Sequence, residues 1–217
     1  MDTLNTLTKT KLMGFLQCSK RLWLESYRKD LIRRSPEDEA KLALGRMLGE
    51  TARELYPSGI LVDDVFRPAK ALATTRQLLE REGSVILFEP AFRHRGVLIR
   101  ADVLVKEDSV FRLVEIKSSS HLRPGHIQDL AIQSWVIEGS GYPLESACVA
   151  TISQSDSEPM KERLSFHELT GEVRSFYPDM DCWVSRALEI LGGDMPAIEP
   201  GEQCLVPYPC PFREFCG

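Results

Sequence analysis

An α/β domain with a small appendage is what this sequence predicts, and three observations predict it. The chain has 217 residues, 43% of them hydrophobic, which is enough for one sizeable core and ordinary for a globular protein. Apolar residues at helical spacing give way between positions 85 and 152 to short runs rich in Val, Ile and Leu with turn residues between them, so helices and strands share one domain. Past residue 191 the composition shifts: Gly192, Gly193, Pro196, Pro200, Pro207, Pro209 and Pro211 mark an extended tail, 192–217, which carries three of the six cysteines.

The first helix is expected over Thr8 to Tyr27, where Leu12, Phe15, Leu16, Leu22, Trp23 and Leu24 fall near helical spacing and Thr8 or Thr10 can cap the start. Cys18 stands in its middle, and taken alone is a small core residue. A second helix runs to about Leu55, with Ser35 as N-cap, Pro36 at its first position and acids in its first turn. Glu50 and Glu54 share one of its faces. Residues 60–66 read as a short strand and 68–83 as an amphipathic helix stopped by glycine. Three strands follow, Val85 to Phe92, Val97 to Val105 and Val110 to Lys117. Glu89 ends an apolar run, either facing a site or serving as a strand-end charge.

His126 to Gly139 is apolar all round its axis, the mark of a buried helix. Its exceptions, His126, Asp129 and Gln133, form one polar stripe that needs partners, either on the adjoining sheet or in ordinary core hydrogen bonds. Leu144 to Ile152 is a further strand with Cys148 as its small buried member. A short strand is expected over 161–166. Thr170 to Leu191 closes the domain as a helix in which Cys182, beside Trp183, is structural.

Composition limits the function classes. No apolar run approaches the ~20 residues that span a bilayer, and the N-terminus lacks the apolar core and cleavage site of a signal peptide, so a cytoplasmic protein without membrane partners is expected. Disulfides are rare in that compartment, which turns the cysteines toward metal or cluster ligation. The net charge is −5, but residues 1–34 hold eight lysines and arginines against three acids, +5, leaving −10 for the remainder. A basic segment beside an acidic body is compatible with phosphate contact, or with a merely solvated helix face.

The chemistry centres on Glu115 and Lys117, two residues apart on one strand face, with Val114 and Ile116 on the other. If Asp108-Ser109 is a two-residue turn, the hairpin pairs residues whose numbers sum to 217, and Asp102 falls opposite Glu115. Opposed side chains have Cβ atoms about 4.5–5.5 Å apart, and carboxylates that close repel unless a cation or proton intervenes. Mg²⁺, which is held by one or two carboxylates with water and phosphate, suits the pair. Lys117 would reach a phosphate or a metal-bound water. An E-x-K strand is otherwise a solvated edge with a cross-strand ion pair.

In the tail, Cys204, Cys210 and Cys216 are spaced C-x5-C-x5-C, and Cys18 is the natural fourth ligand because chain ends often meet in compact domains. Four cysteines can hold zinc or an iron–sulfur cluster, and the C-x2-C pairs of zinc knuckles are absent.

The D-x12-E-x-K spacing, the helix bearing Gln133 and the one-plus-three cysteines together resemble the RecB-like nucleases of the PD-(D/E)xK superfamily that carry an iron–sulfur cluster. The likeness is strongest to the CRISPR-associated RecB-like exonucleases and to uncharacterised bacterial proteins with the same module ahead of further domains, and it covers nearly the whole chain. It implies a restriction-endonuclease-like mixed central sheet flanked by helices, with residues 1–191 as nuclease domain and the two chain ends as an iron–sulfur subdomain. It implies Mg²⁺ or Mn²⁺ on Asp102, Glu115 and the Ile116 carbonyl, catalytic roles for Lys117 and Gln133, and a 4Fe-4S cluster on Cys18, Cys204, Cys210 and Cys216. The implied activity is a deoxyribonuclease, an exonuclease on single-stranded DNA ends, with CRISPR adaptation or repair proteins as partners. Two positions depart from the family. Its histidine ligand on the first long helix is missing, with Glu50 as substitute, and Ile137 stands where many members have the tyrosine of Gln-x3-Tyr, with Trp135 taking the aromatic role. The alternatives are a non-catalytic iron–sulfur or zinc nucleic-acid-binding module, and the nuclease part of a longer multidomain protein.

Overall fold

The computed structural model describes residues 6–33, 36–153 and 159–217, apart from the side chains at 36–39, 41, 42, 46 and 160. The expected Ser35 cap and first-turn acids lie outside that set. Strand β1 (Leu7–Thr8) leads into helix α1 (Lys9–Gln17), whose cap is the Thr8 hydroxyl, accepting the Lys11 N–H at 3.3 Å. The single helix expected to Tyr27 breaks at Cys18, which is extended (φ −165°, ψ 125°), and resumes as α2 (Ser19–Tyr27). Tertiary contacts set that break. A Cβ at Gly14 would stand 2.8 Å from the Glu25 carboxylate, so glycine lets the two helices meet. The Trp23 indole donates to the Gly193 carbonyl at 3.1 Å and the Tyr27 hydroxyl to that of Leu191, tying α2 to the far end of the chain.

Helix α3 (Pro36–Leu55) has the expected bounds, whereas the strand expected over 60–66 is only β2 (Ile60–Leu61). After α4 (Pro68–Leu79), two of the expected long strands each divide, into β3 (Val85–Phe88) with β4 (Ala91–His94) and β5 (Val97–Arg100) with β6 (Val103–Glu107). At the first break Glu89 has φ 54° and Pro90 has no N–H to continue the ladder. The two breaks stay in step: Glu89 N–H donates to the Asp102 carbonyl and Ala101 N–H to that of Pro90, both at 3.1 Å. Strand β7 (Val110–Lys117), helix α5 (Pro124–Gly139) and strand β8 (Leu144–Ile152) follow much as expected. Strand β9 is Leu164–Glu168, and the last long helix is split into α6 (Thr170–Arg174) and α7 (Tyr177–Gly192). Pro178 explains the split, since proline is tolerated in a first turn but not in a helix interior. The tail contains a 3-10 turn at Glu202–Cys204 and one short α-helix, α8 (Arg213–Cys216).

The main sheet is mixed, ordered β2-β3-β6-β7-β8-β9, with β7 and β8 parallel across α5; β1, β5 and β4 form a smaller sheet. Alternation sorts the main sheet's side chains. Leu87, Leu104, Leu113 and Val149 join the larger core with Leu130, Ile132 and Val136 of α5, while Phe88, Val103, Val114 and Ala150 pack on Ala52 of α3. The fold class therefore holds: a mixed sheet flanked by helices. Among the described residues no helix is long and apolar enough to cross a membrane.

Candidate functional site

The hairpin of β6 and β7 has the expected register. Val103 pairs with Val114 and so on to Glu107 with Val110, around a turn at Asp108-Ser109 in which Asp108 has φ 55°. One step further, at the start of β6, Asp102 lies opposite Glu115 on the sheet face beneath α5. Asp102 Oδ2 accepts the Ile116 N–H at 2.7 Å. The Ile116 side chain packs on the opposite face with the α3 layer.

Two ammonium groups close the site. Glu115 Oε1 receives Lys117 Nζ at 2.7 Å and Lys9 Nζ at 3.0 Å. Asp129 of α5 meets the same two lysines, Lys9 at 3.1 Å on Oδ1 and Lys117 on Oδ2. Gln133, fully buried, donates to Asp129 Oδ1 at 3.4 Å. Asp129 and Gln133 thus face the surface that carries Lys117, as the polar stripe requires. His126 stands at the stripe's end, where its Nδ1 accepts the Arg123 N–H at 3.3 Å.

Burial and charge pull these groups apart. Burial, reinforced by the Glu115 carboxylate, pushes Asp102 up to about 8. Burial opposes ionisation of Glu115 too, but Lys117 and Lys9 prevail and hold it well below the usual carboxylate range. The same carboxylates raise both lysines above theirs, against desolvation. His126 is lowered to about 4 by burial, with Lys117 and Arg123 adding to it.

Of the four buried side-chain oxygens without a hydrogen-bond partner among the described residues, two belong to this site, Glu115 Oε2 and Gln133 Oε1. Gln133 lies close enough to favour the ionised form of Glu115, but its amide bonds to Asp129 and none of its atoms forms a hydrogen bond with Glu115 Oε2. A buried unpaired oxygen is costly, and a hard cation is one way to satisfy it. The opposed pair fits Mg²⁺ or Mn²⁺ in donor type and number, since one or two carboxylates suffice. Among the described residues no three His, Cys, Asp or Glu side chains are grouped to hold a metal; the two lysines neutralise the carboxylates instead.

Some sequence candidates lie elsewhere. Glu50 is exposed, on the helix that packs through Ala52, and through Tyr56 just past its end, on the opposite face of the sheet, away from Asp102 and Glu115. Glu89 pairs with Arg100 at 3.2 Å. Trp135 is buried, its ring 4.7 Å from that of His94 in an edge-on contact, because two helical steps place it about 200° around the axis from Gln133. No exposed aromatic role is left to it. Lys9 is the residue that sequence reasoning missed. It counted only as one more basic residue, and no local signal separates it from Lys11.

The basic N-terminal segment turns inward in part. Lys9 enters the site, Lys20 Nζ donates to the Ile198 carbonyl at 3.2 Å and Arg21 pairs with Glu25 at 2.7 Å, whereas Arg28 pairs with Asp30 at the surface, at 2.9 Å. Arg28, Lys29 and Arg33 remain exposed.

The chain ends do meet. Cys18, Cys204, Cys210 and Cys216 border one pocket, shared with Arg21, Pro200, Phe212 and Arg213. The helix break at Cys18 places that thiol at the junction of α1 and α2 rather than inside a helix. The Gln17 amide nitrogen donates to three tail carbonyls, Gln203 at 2.7 Å, Tyr208 at 2.8 Å and Val206 at 3.2 Å. Burial pushes the Cys210 thiol up, while Arg21 draws it down. Four thiols are the donor type and number of a cluster, but among the described residues no three of them are grouped tightly enough to hold a metal. Cys148 is half-buried against the α3 layer, and Cys182 is exposed, which removes its expected structural role.

No protein-family model matches the chain. Over 68 residues, 31% of this chain, it is 28% identical to the uncharacterized protein UU173 of Ureaplasma parvum serovar 3, a match that takes in 10% of that protein's length. Among solved structures, SSO0001 covers 100% of this chain and 88% of its own at 17% identity, with a TM-score of 0.46. An alkaline exonuclease from Laribacter hongkongensis covers 87% and 92% at 13% identity, with a TM-score of 0.35. Both are too distant to weigh. A presumed exonuclease from Eubacterium rectale covers 94% of this chain and 86% of its own at 11% identity, with a TM-score of 0.51. At that identity the likeness is one of fold, and the mixed sheet with its flanking helices is the architecture this chain shares with the Eubacterium rectale structure.

Proposed function

We propose that the protein is a divalent-metal-dependent DNA nuclease of the RecB-like kind, an exonuclease acting on single-stranded ends. The observation that carries this reading is the buried, opposed pair Asp102 and Glu115 with an unpaired Glu115 oxygen and Lys117 beside it. The shared fold with a presumed exonuclease supports it. Asp102, Glu115 and the Ile116 carbonyl would hold Mg²⁺ or Mn²⁺, which supplies charge neutralisation at the phosphate and a water of lowered pKa. Lys117 presents its ammonium to the phosphate oxygens and stabilises developing charge. Asp129 and Gln133 fix where that ammonium stands, which is the positioning that in-line displacement needs.

The four-cysteine pocket supports a structural 4Fe-4S cluster in a subdomain made of residues 192–217 and the first two helices. Gln17 and Cys18 would fasten the tail there. A second reading has one observation in its favour: both lysines neutralise the carboxylates, as in a non-catalytic nucleic-acid-binding module. A single assay separates the two. Protein purified without oxygen is incubated with end-labelled single-stranded DNA in Mn²⁺ or in chelator. Metal-dependent shortening, lost in Glu115→Gln, is expected; DNA binding without cleavage in Mn²⁺ would establish the second reading.

A further inference from the structure

Lys9 comes to the site from 106 residues before Glu115. It stands at the first position of α1, directly after the Thr8 cap. We propose that Lys9 is a resident counter-cation that competes with the divalent metal and is drawn off by a nucleic-acid phosphate, so that metal and substrate bind cooperatively. The inference rests on the reading of Asp102 and Glu115 as a metal site.

Redundancy is the first argument. Lys9 and Lys117 bridge the same two carboxylates, Glu115 and Asp129. Lys117 alone can keep that bridge, so Lys9 can leave without stranding a carboxylate. Charge is the second. A bound divalent ion would draw the proton off Asp102, and the three carboxylates Asp102, Glu115 and Asp129 with two ammonium groups and that ion then carry a net positive charge in a buried place. Without Lys9 the same addition brings the set to neutrality, and buried charge is tolerated only when compensated. Access is the third. The Lys9 side chain keeps 20% of its surface exposed, and a four-carbon stem can swing its ammonium outward where a guanidinium fork is stiffer. A phosphodiester anion offers the ammonium a charge-assisted bond equivalent to the one it gives up.

Reciprocity then follows: whatever removes Lys9 from Glu115 favours the metal, and the metal favours whatever receives Lys9. The test measures Mn²⁺ affinity by electron paramagnetic resonance of the free ion, with and without a phosphorothioate-linked thymidine oligonucleotide that resists cleavage. In the wild-type protein the oligonucleotide should tighten Mn²⁺ binding about tenfold, and Lys9→Met should bind Mn²⁺ about tenfold tighter with no DNA present. In that variant the oligonucleotide should add little, and Lys9→Arg, whose stiffer fork leaves the carboxylates less readily, should keep the wild-type Mn²⁺ affinity but show weaker coupling to the oligonucleotide. Lys9→Gln, which retains a hydrogen-bond donor, replaces Lys9→Met if the latter does not melt cooperatively. Unchanged Mn²⁺ affinity in the neutral variants, or coupling that persists in them, would overturn the proposal. Glu115→Gln in the Lys9→Met background separates the two levels. If it abolishes binding while Lys9 has no effect, only the counter-cation is lost; if Mn²⁺ binding survives it, the metal-site reading falls as well.

Discussion

The carboxylate site and the cysteine pocket are built by opposite means. Asp102 and Glu115 are thirteen residues apart in sequence and are brought together by one hairpin whose two-residue turn sets the register. Cys18 and Cys210 are joined only when the whole chain has folded, through the Gln17 bonds to the tail and the ties of Trp23 and Tyr27 to the end of α7. The first site inherits its geometry from strand pairing over a hydrophobic core. The second has only a proline-rich tail with two short helical turns and the pocket itself. One is placed by secondary structure and needs charge compensation; the other gathers four thiols from both ends of the chain around one pocket.

Breaking the first region should give the largest effect. Asp102→Ala and Glu115→Ala are each expected to lower Mn²⁺-dependent cleavage of single-stranded DNA by about 10³-fold, the scale of losing a main source of transition-state charge stabilisation. Circular dichroism should show an intact fold. Near-normal turnover by well-folded Glu115→Ala would sink the site assignment.

Breaking the second region should show as a loss of colour. Protein purified without oxygen should have a broad visible absorption that bleaches on reduction, and Cys18→Ser should diminish it as severely as Cys210→Ser. Cys148→Ser and Cys182→Ser should leave it intact, since neither borders the pocket. Colourless wild-type protein with stoichiometric zinc would refute the cluster.

Leu113→Ala sharpens the comparison by striking the core under the carboxylates and nothing in the tail. Leu113 is fully buried on the Glu115 face, so the cavity should cost roughly 2–5 kcal/mol in urea unfolding. A loss below about 1 kcal/mol would mean that the strand rests on something other than that core.

The smallest effect concerns His126. Burial and two neighbouring cations lower it from 6.5 to about 4, and its neutral Nδ1 accepts the Arg123 N–H. Between those two values the unfolded chain takes up a proton that the folded one refuses, so this group makes stability fall as pH drops from 6.5 to 4. His126→Asn should flatten that part of a urea-midpoint profile. An unaltered slope would assign the acid sensitivity elsewhere.

How much could be read in advance follows the same division. The opposition of Asp102 and Glu115 was legible because side chains alternate along strands and a tight turn leaves one register. The Asp129–Gln133 stripe was legible because a helix that is apolar elsewhere makes its polar residues conspicuous. Lys9 was not, because a lysine's stem suits a solvated face and a buried ion pair equally well. Periodicity also could not show the breaks at Cys18 and Asp102, since the apolar pattern runs through both and long-range packing bends the chain. Glu50 failed for a simple reason: helix α3 lies on the side of the sheet that Glu115 faces away from.

Helix α1 touches both regions. Its first residue holds Glu115 and Asp129, and its last clasps three carbonyls of the tail. Nine residues of α-helix span about 13 Å and transmit displacement along their axis with little bending. The tail and the carboxylates are therefore the two ends of one lever: a shift of the tail carbonyls that carries Gln17 with it also changes how far the Lys9 ammonium reaches.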